Sequence, residues 1–328
     1  MIKYPHMKHL PWLLSALIIT GLGCSSAQQE TVSDTNTDQV EATAVSDDAR
    51  LSFTPDEGYR VENASNPGAK LNDGIVSLMY EDRIKHGNFI ATAGEDSDWL
   101  DFEQAQRVEN LSDFRAIKLP DGTFRSYGFD ATKGVESGQL TSRSSTDGVT
   151  YTDDEGVRYS AQPDDNDSMG VFDFFVDSKG GVVMTYLGDL HGANNLRRAY
   201  STDNGWTFTF EASDILNDAA AQKNGQRGTH VDQKVYAMPD GRFWMITMRQ
   251  GSVYSFVSDD GGVTWAADGL LLEPSDFSDL GIGSLHDPVM VFLEDGRARI
   301  YVTAAEQGGA QNPDVPQHIV SATTAVMF

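Results

Sequence analysis

A single cysteine, Cys24, excludes an intrachain disulfide, so this 328-residue chain must be held together by packing, hydrogen bonds and ion pairs. Basic residues are scarce, with 24 Lys and Arg against 49 Asp and Glu and a formal charge of −25. That sign repels nucleic acid, phospholipid headgroups and polyanionic substrates. It leaves neutral sugars, other small neutral or cationic ligands, and calcium as partners the chain can approach. Long apolar runs are missing apart from Leu10 to Leu22, which is too short to span a bilayer comfortably. Helical spacing of apolar residues is scarcely seen, which points away from helices. There is no Cys–His zinc spacing, no phosphate-cradling Gly loop and no nucleophilic Ser elbow.

What is present begins with a leader. Lys3 and Lys8 precede the apolar run and Gly23-Cys24 follow it, the order of a secretory signal and its cleavage site. Leu22-Gly23-Cys24 resembles the end of a bacterial lipobox, with Gly21 where Leu is usual. That resemblance implies lipidation at Cys24, and Ser25 and Ser26 after it imply the outer membrane of a Gram-negative envelope. Residues 1–23 hold two of the basic residues and no acid, so the exported chain is more acidic still. Residues 24–49 lack aromatics and are rich in Gln, Glu, Ser, Thr, Asp and Ala, which predicts a disordered tether. The folded domain is expected over 50–328, and the membrane is expected to be touched only through the lipid anchor.

Within that domain a pattern recurs. Ser258-Asp259-Asp260-Gly261-Gly262-Val263-Thr264-Trp265 matches Ser201-Thr202-Asp203-Asn204-Gly205-Trp206-Thr207-Phe208, 57 residues earlier. Ser145-Thr146-Asp147-Gly148-Val149-Thr150-Tyr151 is a third copy, one residue short. The carboxylate and hydroxyls can bond local N–H groups, Gly permits positive φ, and the aromatic can pack the following strand, so the segment reads as a structural turn. Its pattern resembles the Asp box, or bacterial neuraminidase repeat, of sialidase-like β-propellers. A hairpin signal lies upstream of each box and at two further places: Asp73-Gly74, Asp121-Gly122, Gly180-Gly181, Asp240-Gly241 and Asp295-Gly296. Five hairpins predict five four-stranded blades. Phe53-Thr54-Pro55-Asp56-Glu57-Gly58-Tyr59-Arg60-Val61 echoes Tyr151-Thr152-Asp153-Asp154-Glu155-Gly156-Val157-Arg158-Tyr159, an outer fourth strand. The N-terminal strand is therefore expected to complete the last blade and close the ring. The alternative is a six-bladed ring like that of true sialidases, which requires a further repeat.

In a propeller the first residues of each innermost strand converge on the axis. Counting nine residues back from the hairpin glycines gives Asp113, Asp232 and Asp287, with Phe172 beside Asp173 in blade three and Ser65 between Ala64 and Asn66 in blade one. Carboxyls gathered in one funnel raise each other's pKa, which sets up an acid and a base or holds a cation such as calcium. The same residues in a repeat can also serve only to cap turns. His230 and His286 lie next to this tier, and His286 with Asp287 is the candidate metal pair. His286-Asp287-Pro288-Val289-Met290-Val291-Phe292 resembles the inner-strand motif of five-bladed glycoside hydrolases of the family-43 and family-32 type. That resemblance implies Asp113 and Asp173 as an acidic pair and His286 as an axial histidine. Blade one departs from it, offering Asn63, Ser65 and Asn66 where those families place a base. Phe114-Arg115-Ala116-Ile117 is similar to the sialidase segment whose Arg binds a carboxylate. Rim loops add Arg83 and His191 as sugar-contact candidates, and Pro163 to Asp167 is an acidic loop without the full spacing of a calcium site. Three functions remain open from the sequence: a glycoside hydrolase using axial carboxyls, a non-catalytic binding or scaffold propeller, and an exo-sialidase.

Overall fold

The computed structural model describes residues 52–108, 116–129, 138–190, 195–216, 229–308 and 315–325. After a short strand β1 (Phe53–Pro55), four strands form the first blade: β2 (Ala64–Asn72), β3 (Ile75–Asp82), β4 (Gly87–Gly94) and β5 (Glu103–Val108). The second blade holds β6 (Ala116–Lys118), β7 (Phe124–Phe129) and β8 (Gln139–Ser145), with its outer edge split into β9 (Thr152–Asp153) and β10 (Tyr159–Ser160). The third contains β11 (Met169–Val176), β12 (Val182–Gly188), β13 (Asn195–Ser201) and β14 (Thr209–Ser213). The fourth runs through β15 (Val231–Ala237), β16 (Phe243–Arg249), β17 (Ser252–Ser258) and β18 (Ala266–Leu272). The fifth has three of its own strands, β19 (Ile282–Phe292), β20 (Ala298–Glu306) and β21 (Gln317–Thr324). The fold is an all-β, five-bladed propeller of antiparallel sheets.

Closure comes from β1, which supplies the missing fourth strand by pairing antiparallel with β21 from Phe53 opposite Thr324 to Pro55 opposite Ala322. A bridge between Val61 and Ile319 continues the contact. The six-bladed alternative is thereby set aside, because the fifth sheet is completed by the N-terminal strand. Joining the two ends of the chain in one sheet removes the open edge.

The hairpins sit where the Gly signals place them. At Asp73-Gly74 both residues have positive φ, the two-residue turn whose twist matches flanking strands. Second strands are buried on both sides, as in Val182–Gly188, because each blade lies between two others. The apolar clusters accordingly lie between blades. Trp244, Ile246 and Val253 of the fourth pack with Leu285, Met290, Ile300 and Val302 of the fifth, and Phe53 joins them from β1.

The recurrent boxes form the expected turns. Asp260 accepts from the N–H groups of Val263 (3.0 Å) and Thr264 (2.9 Å) and from the Thr264 hydroxyl (2.6 Å). Asp203 and Asp147 repeat the backbone bonds. The boxes also clasp the preceding blade. Arg125 donates to the Asn204 carbonyl (2.5 Å) and Tyr127 to that of Gly205 (3.0 Å), while the Trp206 ring covers the Arg125 guanidinium at 3.8 Å. Arg299 and Tyr301 in the fifth blade make the corresponding bonds to Asp98 and Trp99 of the first.

The echo between residues 53–61 and 151–159 is an equivalence of contacts. Asp154 accepts from Ser142 (2.6 Å) and Ser144 (2.8 Å) and lies 3.6 Å from Arg125. Asp56 accepts from Ser321 (2.6 Å) and Thr323 (2.9 Å) and lies 3.2 Å from Arg299, whose side chain is fully buried. Removing one partner of a buried pair strands the other charge. Asp56→Ala is therefore expected to lower the unfolding free energy by about 3 kcal/mol in urea. A loss below about 1 kcal/mol would show that the remaining partners of Arg299 suffice.

Candidate active site

Four long inner strands carry the same irregularity. The pairing register slips between Ser65 and Gly68, between Gly170 and Phe172, between Val231 and Lys234, and between His286 and Val289. Within the slips Asn66, Val171, Asp232 and Asp287 have φ of 54°, 23°, 53° and 50°. Such a bulge leaves a residue out of the ladder and re-aims its side chain. Asn and Asp accept positive φ readily, whereas β-branched Val171 is strained there. Asp232 and Asp287 are thus equivalent, as the nine-residue count predicts. In the third blade the equivalent residue is Val171 rather than Phe172, and in the first it is Asn66 rather than Ser65. Asp173 lies one level further along its strand, opposite Thr185 as Lys234 is opposite Ile246.

A polar band runs across these strands from blade one through blades five and four to blade three. Asn66 donates its side-chain amide to Glu81 (3.0 Å) and its backbone N–H to the Thr303 hydroxyl (3.0 Å). Thr303 in turn donates to Asp287 (3.3 Å). The Asp287 backbone N–H serves the Asp232 carboxyl. Two residues beyond Asp232, Lys234 places its ammonium 3.4 Å from Asp173, whose other oxygen accepts the Val235 N–H at 2.8 Å.

Burial dominates the electrostatics. Asp232 is pushed up to about 7, first by burial and then by the charge of Asp287, with Lys234 and His286 pulling the other way. Asp287 is also raised, by burial and by Glu81, against the Thr303 bond and Lys234. Burial raises Asp173 against the same ammonium and the Val235 N–H. His286 is lowered by burial despite Asp232, so its ring is neutral at pH 7, and its Nε2 lies 2.8 Å from the Ser284 hydroxyl. Asp232 and Asp287 titrate as a coupled pair that retains a proton close to neutral pH. A group of that kind can give or take a proton at a bound ligand.

The other sequence candidates lie elsewhere. His230 is 4% exposed, with Nδ1 2.8 Å from the Thr247 hydroxyl and its ring edge-on to Tyr254 and Phe256, all in its own blade. Arg83 lies on the β3–β4 turn, half-buried, its backbone N–H bonded to the Asn63 carbonyl. Asp113, Arg115, His191 and Cys24 fall outside the described residues. Among the described residues no three His, Cys, Asp or Glu side chains are grouped to hold a metal ion. Sequence reasoning passed over Lys234 and Glu81. Lys234 was detectable, since it follows Asp232 by two residues on one strand, the spacing that shares a face.

No protein-family profile matches the chain, and no curated relative does. Solved structures do resemble it. A thermostable family-43 glycoside hydrolase matches with TM-score 0.55 and 11% identity, over 82% of this chain and 91% of the other. The catalytic domain of a Coprinopsis cinerea GH62 α-L-arabinofuranosidase matches with TM-score 0.60 and 10% identity, over 84% and 98%. An endo-1,4-β-xylanase from Bacteroides thetaiotaomicron matches with TM-score 0.57 and 11% identity, over 80% and 91%. The likeness is one of fold. At such identities the fold alone is shared ground, so the site must be argued from the contacts above.

The raised Asp232 has a consequence for stability. Its value in the folded chain exceeds that of an unfolded Asp, about 3.9, so the native state holds a proton that the unfolded state releases. Stability therefore falls as pH rises from about 4 to about 7. Asp232→Asn is expected to reduce that slope, to which Asp287 and Asp173 also contribute, and to be more stable than the parent at pH 8 by about 1–3 kcal/mol. Urea unfolding at pH 5 and pH 8 measures it, and identical pH dependence in both proteins would count against a perturbed Asp232.

Proposed function

We propose that this propeller is a carbohydrate-active protein of the glycoside hydrolase kind, acting at the mouth of its axial channel. The observation that carries the proposal is the proton-retaining Asp232 beside Asp287, in a ring whose structural neighbours include glycosidases of several linkage types. In this scheme Asp232 is the general acid that protonates a glycosidic oxygen, and an ionised carboxylate across the channel activates water. Asp287, Asp173 and Asp113 are the candidates for the second role. Arg115, Arg83, His191 and His286 are proposed to contact the sugar, whereas the aromatic cage around His230 favours a supporting part. A six-bladed ring is what the sialidase resemblance requires, so the five-bladed closure supports a glycosidase of another kind.

One observation favours the second reading, a binding or scaffold propeller without turnover. Asp173 is committed to the Val235 N–H and to Lys234, contacts that brace one blade against the next. Export and lipidation at Cys24 are part of the proposal on the leader and tether alone. They would display the ring at the outer membrane, where oligosaccharides are met before uptake. Labelled palmitate is expected to enter the parent chain and not Cys24→Ser.

Hydrolysis is tested with chromogenic α-L-arabinofuranosides, β-D-xylosides and β-D-galactosides. Asp232→Asn and Asp287→Asn should each lower kcat/KM by roughly 10²–10⁴-fold on any substrate that is turned over. Unchanged turnover in both variants would remove the pair from the mechanism. Calorimetric binding of oligosaccharides without turnover in any panel would establish the binding reading instead.

A further inference from the structure

Blade four differs from its neighbours in the channel. At the level where blade three presents Asp173 and blade five presents Val289, it presents Lys234. The ammonium lies 3.4 Å from Asp173, with Asp232 two residues away on the same strand and Asp287 on the next inner strand. The charged and titratable groups around it come from every packed element: Asp173 from β11, Asp232 and Tyr236 from β15, His286 and Asp287 from β19, and Glu81 from β3. Four of these six are carboxyls, and His286 is neutral at pH 7 because burial lowers it. Tyr236 stays protonated, its value raised by burial, and its oxygen accepts the Met290 N–H at 2.7 Å.

We infer that Lys234 is the positioning residue of this cluster: its ammonium, 3.4 Å from Asp173 and two residues along the strand from Asp232, is the charge that holds down the proton affinity of the carboxyls packed around it. The inference rests on the reading of these acids as a proton-handling site, but it is a statement about charge that can be checked without a substrate. Two unlike environments are built from three similar carboxyls. Asp173 has a cation and a backbone N–H that oppose the burial raising its proton affinity. Asp232 has burial and a like charge beside it, which favour its protonated form. The ammonium of Lys234 is the charge that opposes burial at all three. Asp173→Asn would leave the Val235 N–H an amide oxygen to donate to, so the strut between blades can persist while the carboxyl is removed.

The test is carboxyl-carbon NMR on protein labelled at aspartate, titrated from pH 4 to 9, with Asp232→Asn and Asp287→Asn used to assign the pair. In the parent protein Asp232 should titrate around neutral pH, and Asp173 above the ordinary carboxylate range. Lys234→Met should move the pair's midpoint upward by about one pH unit, a tenfold change in proton affinity, and bring Asp173 up with it. Lys234→Arg should restore the parent curve. Curves for Lys234→Met that superimpose on the parent would overturn the inference. If Lys234→Met does not fold, Asp173→Asn decides. Freed from Asp173, the ammonium should lower the midpoint of the pair, and an unmoved midpoint would likewise overturn the role assigned to Lys234. Glycoside turnover is a separate readout, so an absence of activity with the NMR shifts present would refute hydrolysis and leave the charge assignment standing.

Discussion

Everything in this molecule depends on closing a ring from sheets that cannot stand alone. Each blade is apolar on both faces and is stable only between two others, so the first and last must meet. The meeting is made by β1 on β21 and by the buried pair of Asp56 and Arg299, with Arg299 also reaching the Asp98 and Trp99 carbonyls of the first blade. One guanidinium therefore touches the N-terminal segment, the fifth blade and the first. The same set of contacts recurs around Arg125, where it joins the second blade to the third, so closure uses the joint found elsewhere in the ring.

A closed ring has a second consequence on the axis. Inner strands have no further strand to pair with on the channel side, so some of their N–H groups need side-chain partners. Asp173 provides one for Val235, and the Tyr236 oxygen provides one for Met290. Acids at this edge are thus drawn in for structural reasons before any chemistry is considered. Asp232 and Asp287 are placed differently, on bulges whose positive φ takes them out of the ladder. Structural bracing and proton handling are divided between neighbouring levels of the same strands, and the cation of Lys234 sits at the division.

Much of this was legible from residue order. The boxes at 145–151, 201–208 and 258–265, the five hairpin glycines and the echo between 53–61 and 151–159 identify turns and an outer strand by local chemistry. Counting them yields the number of blades and the way the ring closes. Asp232 and Asp287 emerged from the same count because their blades have equal spacing. The count slipped in blade three, where the bulge falls on Val171 and not Phe172, and in blade one, where a two-residue hairpin moves the equivalent position to Asn66. His230 was drawn toward the axis by its closeness in sequence to Asp232, yet its ring turns into its own blade against Tyr254 and Phe256.

The sequence by itself determined the repeat, the strand order and the acidic character of the axis, because turns and alternation depend on neighbours along the chain. Only the tertiary structure decided which acids share a proton. That choice depends on burial and on charges from four blades, among them Glu81 and Lys234, which lie more than 150 residues apart in the chain and meet only when the ring is closed.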